Sequence, residues 1–136
     1  MDGDDSDKAL ILVVDDEADL LEAIKVFLQA KENAVYEVVT TTDPKRAALI
    51  LQLESHRIKL ILLDLHMPNF SGLELLHQIR STPELAQVPI LIISGDRTGR
   101  RKVAEQKDPY LDFLLKPFNP EVLYYRVMRS GLLKTA

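Results

Sequence analysis

The chain has 136 residues, 46% of them hydrophobic and 28% charged, which is the balance of one soluble globular domain. The formal net charge of -4 argues against direct binding of nucleic acid, and the absence of cysteine excludes disulfides and Cys-ligated zinc. No apolar stretch is long enough to cross a membrane, and the acidic residues 1–7 do not resemble a signal peptide. We therefore expect a cytoplasmic protein without membrane contact, with a disordered start at 1–7, one domain over 8–133 and a tail at 134–136.

Strand and helix patterns alternate along the chain. Short, nearly continuous apolar runs predict buried strands, and apolar residues at helical spacing predict the helices between them. The predicted strands are Ala9–Val14, Val35–Thr40, Ile58–Leu63, Pro89–Ile93 and Asp112–Leu115. The predicted helices are one with apolar positions Ala18, Leu21, Ile24, Val26, Phe27 and Leu28, one from Asp43-Pro44 to about Ser55, one opened by Ser71-Gly72-Leu73-Glu74, and one from Asn119-Pro120 to about Ser130 with Gly131 as its stop.

The stretch between Gly95 and Pro109 fits this alternation badly. Only Val103 and Ala104 are aliphatic there, so a helix in this place has a thin apolar face. Long, weakly anchored connections in compact domains are usually functional or mobile.

Alternating strands and helices with right-handed crossovers predict the α/β class: a doubly wound, five-stranded parallel sheet with helices on both faces. At this length we expect the flavodoxin-like strand order 2-1-3-4-5. That order puts the first and third strands side by side at the point where the winding direction changes. Ligands of such sheets bind outside the carboxyl ends of the strands.

Polar residues follow the predicted strands at that edge. Asp15 and Asp16 end the first strand, Asp64 the third, Ser94 the fourth and Lys116 the fifth. Adjacent carboxylates repel unless a cation lies between them, and Mg²⁺ prefers oxygen ligands. A carboxylate can also attack a phosphoryl group, and a lysine can neutralise its oxygens. The set predicts a site for a hard cation and a phosphoryl group.

Simpler interpretations exist for each member of this set. A strand-end Asp is often a helix N-cap, Ser94 can cap the end of its strand, and Lys116 alone would be a solvated surface charge. The combination is more specific than any single residue.

The motifs around these residues resemble the receiver domain of two-component response regulators over about residues 8–133. The segments that carry the resemblance are Val13-Val14-Asp15-Asp16-Glu17, Leu62-Leu63-Asp64-Leu65-His66-Met67-Pro68, Ser71-Gly72, Ile92-Ile93-Ser94-Gly95 and Leu115-Lys116-Pro117-Phe118.

The resemblance implies roles for the strand-end residues. Asp64 would be the phosphoacceptor, and Lys116 would pair with the phosphoryl oxygens. Mg²⁺ would be held by Asp15, Asp16, Asp64 and the backbone carbonyl of His66.

Further roles carried by the resemblance concern the switch. Ser94 would move towards the phosphoryl group, Phe113 occupies the aromatic switch position, and Pro117 would follow a cis peptide bond. His66 and Asp96 lie at positions that tune the lifetime of the phosphoryl group.

Two positions depart from the family pattern. Phe113 lacks the hydroxyl of the common tyrosine, and Pro109-Tyr110 replaces the usual Gly-Ala before the last strand. We therefore predict a short, shifted or disordered fourth helix.

The partners that the resemblance implies are a sensor histidine kinase or a histidine phosphotransfer protein, and a fused or separate output domain. The last helix carries Tyr124 and Tyr125, which cannot both face the core easily, so it is a candidate homodimer surface. The basic cluster of Arg97, Arg100, Arg101 and Lys102 is either a solvated loop or a partner surface. The three histidines His56, His66 and His77 are too scattered for a metal triad.

The leading function is a phosphorylation-dependent switch, not an enzyme in the usual sense. One alternative is a pseudo-receiver that binds partners without phosphotransfer. The intact acidic set argues against it, because such a domain does not need those residues. A phosphatase of the haloacid dehalogenase type would need Asp-x-Asp after the first strand, where this chain has Asp15-Asp16-Glu17. A flavodoxin-like electron carrier would want a hydroxyl-rich loop there, because the acidic pair repels a phosphate.

Overall fold

The computed structural model describes residues 8–32 and 34–130. Its strands are β1 Ala9–Val14, β2 Tyr36–Thr41, β3 Ile58–Asp64, β4 His66–Met67, β5 Phe70–Ser71, β6 Ile90–Ser94 and β7 Leu111–Leu115. Its helices are α1 Ala18–Gln29, α2 Pro44–Leu53, α3 Gly72–Arg80, α4 Gly99–Glu105 and α5 Pro120–Arg129, with a 3-10 turn at Pro83–Leu85. The predicted disordered start, the helix stop at Gly131 and the tail lie outside the described residues.

The five longer strands form one parallel sheet in the order β2-β1-β3-β6-β7. This confirms the predicted fold, because β6 and β7 are the fourth and fifth strands of the sheet. The two short strands β4 and β5 were not predicted. They pair antiparallel in a separate hairpin whose turn contains Asn69 at a positive φ of 61°.

Side chains of the sheet alternate between two apolar layers. Leu10, Leu12 and Val14 of β1 face a core formed with α2 and α3, while Ile11 and Val13 face a core formed with α1 and α5. A sheet buried on both faces explains why its strands have nearly continuous apolar sequences. Polar site residues can therefore lie only where the strands end.

The predicted helix starts agree with the structure. Asp43 accepts a hydrogen bond from Lys45 N, and Asn119 accepts one from Glu121 N. Val26 was wrongly predicted on the apolar face of α1, since its exposed fraction is 57%. It lies midway between Ile24 and Leu28, whose spacing of four residues puts both on the buried side.

Several predicted boundaries differ by one or two residues. Helix α2 ends at Leu53 rather than Ser55, and β2 starts and ends one residue later than predicted. Such shifts are the usual uncertainty of element ends.

The fourth helix is short and ordered, over the seven residues of α4. Val103 is its partly buried apolar contact with the core. Its first residue, Gly99, lies against Phe113 so closely that an added Cβ would be 2.6 Å from Cε1 of the ring. The guanidinium of Arg100 lies over the same ring, 5.2 Å from its centroid. Among the described residues, no helix is long and apolar enough to span a membrane.

Candidate functional site

The structure brings the strand-end residues together at one edge of the sheet. Asp64 ends β3 and Ser94 ends β6, while Asp15 and Lys116 directly follow β1 and β7. Asp15, Asp64 and Ser94 are buried, whereas the carboxylate of Asp16 belongs to an exposed residue. The parallel register explains this arrangement, because all four strands end at the same edge.

The ammonium of Lys116 is the positive centre of the site. Its Nζ lies 2.8 Å from Oδ2 of Asp15, 2.7 Å from Oε1 of Glu17 and 3.7 Å from Oδ2 of Asp64. Burial alone would lower the pKa of Lys116, but the hydrogen bonds and charges of the three carboxylates raise it above its ordinary value. Lys116 is therefore charged, and it lies closer to Asp15 and Glu17 than to Asp64.

The carboxyl of Asp64 has an unusual proton affinity. Burial, followed by the charge of Asp15, raises its pKa from 3.8 to about 6, although the His66 N–H and Lys116 act in the opposite direction. The His66 N–H donates to Oδ1 of Asp64 at 3.2 Å. Burial also raises the pKa of Asp15. The single Lys116 ammonium is shared among Asp15, Glu17 and Asp64, so a bound cation would add the positive charge that the two buried carboxylates still need.

The donor set fits a hard divalent cation. Carboxylate oxygens of Asp15, Asp16 and Glu17 lie within 4.8 Å of one another. The buried Oδ2 of Asp15 faces Lys116 at 2.8 Å, but without the angles of a hydrogen bond, so this oxygen can still coordinate a cation. Oxygen donors of this kind are those that Mg²⁺ prefers.

Ser94 acts as a cap in the structure. Its Oγ accepts a hydrogen bond from the backbone N–H of Asp96 at 3.0 Å, which is the strand-end role considered from the sequence. A hydroxyl that accepts in this way still has its own hydrogen to donate. The backbone carbonyl of Ser94 also accepts from Lys116 N at 2.8 Å, which ties the ends of β6 and β7 together.

A chain of polar contacts crosses the mouth of the site. Nε2 of His66 lies 2.9 Å from Oδ2 of Asp96, and Nζ of Lys102 lies 3.0 Å from the same oxygen. Thr98, then Lys102 and His66, hold the pKa of Asp96 well below its usual range. We call the His66–Asp96–Lys102 contacts the entrance bridge, because they join β4 to the loop after β6 and to α4.

The structure also places Phe113, the predicted switch residue, and Pro117, the predicted cis-proline. Phe113 is buried, with an exposed fraction of 3%, and the Lys116–Pro117 peptide bond is cis. Gly72 lies directly against Asp64, since an added Cβ would be 2.3 Å from the Asp64 carbonyl oxygen. This close approach fixes the start of α3 against the end of β3.

Two contacts of the site were not predicted from the sequence. Glu17 forms an ion pair with Lys116. The sequence feature that could have indicated this is the run of three acidic residues, Asp15-Asp16-Glu17. Lys102 joins the entrance bridge, and its signal was the basic cluster between β6 and β7.

The other candidate residues lie away from this edge or point outwards. His77 contacts Gln106 and His56 is exposed, so neither joins the site. Arg97 and Arg101 are exposed. On α5, Tyr125 points outwards, since its exposed fraction is 60%.

Tyr124 packs edge-on against Phe27, so the two tyrosines of α5 face in different directions, as the sequence suggested.

The fold and the site together define a doubly wound α/β domain with an acidic pocket at the carboxyl edge of its sheet. A family model described as the response regulator receiver domain matches residues 11–128. The chain belongs to this family. Domains of the family are signalling domains rather than classical enzymes, and they bind Mg²⁺ at an acidic pocket such as the one that Asp15, Asp16 and Glu17 form here.

Known relatives agree with this assignment. The CAI-1 autoinducer sensor kinase/phosphatase CqsS of Vibrio cholerae is 34% identical over 118 residues, which are 86% of this chain and 16% of CqsS. The uncharacterized transcriptional regulatory protein YrkP of Bacillus subtilis is 34% identical over 122 residues, 87% of this chain and 47% of YrkP. The chain thus spans less than half of either curated relative.

A solved structure has the same fold over nearly its whole length. The chemotaxis response regulator CheY4 of Vibrio cholerae superposes with a TM-score of 0.76 at 30% identity, covering 90% of this chain and 98% of CheY4.

Proposed function

We propose that this receiver domain, over residues 8–133, accepts a phosphoryl group on Asp64 in a Mg²⁺-dependent reaction and thereby switches a partner-binding surface. The observation that carries the proposal is the buried Asp64 carboxylate with Asp15 on one side and the Lys116 ammonium 3.7 Å away. A structural ion pair would not need three further acidic groups at the same place.

The cation would be held by Asp15, Asp16, Asp64 and the backbone carbonyl of His66. The chemistry that Mg²⁺ supplies when bound is neutralisation of charge on the phosphoryl oxygens. The rest of the work falls to the protein. Lys116 neutralises a second phosphoryl oxygen, and the His66 N–H holds the Asp64 carboxylate in place.

The transfer is a displacement at phosphorus. A carboxylate oxygen of Asp64 forms the new bond to phosphorus while the bond from phosphorus to the donor's imidazole nitrogen breaks, and the electron pair stays with that nitrogen. The product is an acyl phosphate that carries about -1.5 to -2 charge, a change large enough to draw the Lys116 ammonium and the Ser94 hydroxyl towards it.

The readout follows from contacts that start at Ser94. When its hydroxyl donates to a phosphoryl oxygen, the loop that it caps through Asp96 N–H shifts with it. Phe113 of β7 contacts Gly99 and Arg100 of α4. The loop after β6 and α4 therefore form the element that changes between the inactive and the active arrangement. Phosphorylation biases a balance between forms that already exist.

The entrance bridge would set how long the phosphoryl group survives. His66 and Asp96 stand across the mouth of the site, where the water that hydrolyses the acyl phosphate must approach. The imidazole either excludes that water or orients it.

The names of two relatives support a proposal about the partners. CqsS is named a sensor kinase/phosphatase and YrkP a transcriptional regulatory protein, so similar domains occur in both settings. We propose a sensor histidine kinase or histidine phosphotransfer protein as the donor, and a fused or separate output domain as the target. Exposed Tyr125 and Val122 make α5 the candidate surface for a homodimer.

Intact-mass analysis after incubation with Mg²⁺ and acetyl phosphate tests the proposal, with Asp64→Asn alongside. We expect one added phosphoryl group that is lost in the variant and when Mg²⁺ is chelated. Because fast hydrolysis can hide an adduct, a negative result is repeated with beryllofluoride. Failure of both would leave the pseudo-receiver as the better description.

A further inference from the structure

Glu17 uses its carboxylate in an unexpected way. It is the N-cap residue of α1, yet its side chain makes no capping hydrogen bond. Its Oε1 instead accepts a hydrogen bond from Nζ of Lys116 at 2.7 Å. The exposed fraction of the Glu17 side chain is 58% against 16% for Lys116, so Glu17 covers the ammonium from the solvent side.

The position of the ammonium shows what this contact does. Nζ is within hydrogen-bond distance of Glu17 and Asp15, but it is 3.7 Å from the nearest oxygen of Asp64. Of the three donors of a lysine, one is given to Glu17, and the ammonium also lies 2.8 Å from Oδ2 of Asp15, neither of which is the acceptor carboxylate. The proposed function requires the same ammonium to reach a phosphoryl oxygen on Asp64, so that oxygen competes with Glu17 for the position of Nζ.

We infer that Glu17 is a positioning residue that acts through Lys116: it holds the ammonium away from Asp64 until a phosphoryl group competes for it. The inference rests on the proposed function and adds an autoinhibitory contact to it. Asp15 cannot play this part, because it is buried and is needed for the cation. Glu17 can, because release of an exposed carboxylate into water has a small free-energy cost.

The contact sets a threshold for the switch. An exposed ion pair of this kind is worth a factor of about two to five in an equilibrium. The Glu17–Lys116 ion pair favours the unphosphorylated state by this factor, because only that state keeps the full contact. Removing the charge of Glu17 while keeping its size should therefore favour the phosphorylated state.

The test compares Glu17→Gln with the unmodified protein and with Asp19→Asn. Asp19 lies in the exposed first turn of α1, so its variant removes the same charge without touching Lys116. The readout is beryllofluoride binding at saturating Mg²⁺, followed by ¹⁹F NMR. We expect Glu17→Gln to bind about two- to fivefold more tightly and Asp19→Asn to bind like the unmodified protein.

A second readout separates positioning from a structural role. In ¹H–¹⁵N spectra of the lysine ammonium groups, Glu17→Gln should move the Lys116 signal of the free protein towards its position in the beryllofluoride-bound unmodified protein. Loss of helix stability alone would not move that signal in this direction.

Several outcomes would overturn the inference. Equal or weaker beryllofluoride binding in Glu17→Gln would do so, as would equal tightening in Asp19→Asn, which would indicate a general charge effect. A large loss of Mg²⁺ affinity by calorimetry would make Glu17 a metal ligand instead. If the unmodified protein neither binds beryllofluoride nor accepts a phosphoryl group, the proposed function fails and the inference with it. Normal binding with no effect of Glu17→Gln rejects the inference alone.

Discussion

Replacing the proposed acceptor Asp64 by Asn should stabilise the cation-free protein. Asp64 is buried, and its pKa is raised from 3.8 to about 6 in the folded chain. At 1.36 kcal/mol per pKa unit, this difference amounts to about 3 kcal/mol of destabilisation at neutral pH. Asn keeps the size of the side chain and an oxygen that can accept the His66 N–H, but it carries no charge.

The gain should depend on pH in a definite direction. Because the folded state binds the Asp64 proton more tightly than the unfolded state, the contribution of Asp64 is most favourable below pH 3.8 and is lost as the pH rises through about 6. The variant and the unmodified protein should thus be similarly stable near pH 4 and differ most above pH 7. Bound Mg²⁺ should reduce the difference, since it stabilises the unmodified protein more.

Urea denaturation in buffer with a chelator measures this effect. With an m-value of about 2 kcal/mol/M, the midpoint of Asp64→Asn should lie about 1 M or more above that of the unmodified protein at pH 7.5. The matched control is Asp43→Asn, which removes an exposed charge at the start of α2 and keeps an equally good N-cap. An Asp64→Asn midpoint at or below that of the unmodified protein would refute the reasoning.

Three other substitutions test separate parts of the structure. Gly72→Ala should lower the free energy of unfolding by about 1–3 kcal/mol in urea, because its Cβ would meet the Asp64 carbonyl oxygen; unchanged stability would contradict the close approach. His66→Ala should change the rate at which the phosphoryl group is lost in a mass time course, because it breaks the His66–Asp96 contact; the loss is faster if the imidazole excludes water and slower if it orients water, and an unchanged rate would reject both roles. Tyr36→Phe should cost about 1 kcal/mol at pH 7, because Tyr36 donates a buried hydrogen bond to the Leu28 carbonyl. It should also remove a loss of stability between pH 10 and 12, since burial raises the pKa of Tyr36 to about 12.

The fold was predictable because local and global signals agree. The apolar runs of β1 and β3 indicate strands buried on both faces, and only a parallel sheet with helices on both sides buries them. Asp43-Pro44 and Asn119-Pro120 mark helix starts through capping chemistry that depends on neighbouring residues alone. Such short-range signals can be read from the sequence without knowledge of the fold.

Contacts between distant loops were not predictable in the same way. Glu17 and Lys116 are 99 positions apart, and nothing in either residue's neighbourhood indicates that they meet. The entrance bridge likewise depends on where β4 and the loop after β6 lie, which the pattern of the long strands does not determine. The β4–β5 hairpin had a turn signal in Pro68-Asn69, but two-residue strands are too short for a periodic pattern.

Helix α4 differs from the other helices in what attaches it to the domain. Its contacts include the buried Gly99 against Phe113, the partly buried Val103, the Arg100 guanidinium over Phe113, and the Lys102–Asp96 pair, whose side chains are 38% and 25% exposed. Charge contacts near the surface weaken with salt, because ions screen them over about 8 Å at physiological ionic strength. Apolar contacts in the interior do not weaken in this way. The Arg100 and Lys102 part of the attachment of α4 therefore weakens as the ionic strength rises, while the contacts of Gly99 and Val103 do not.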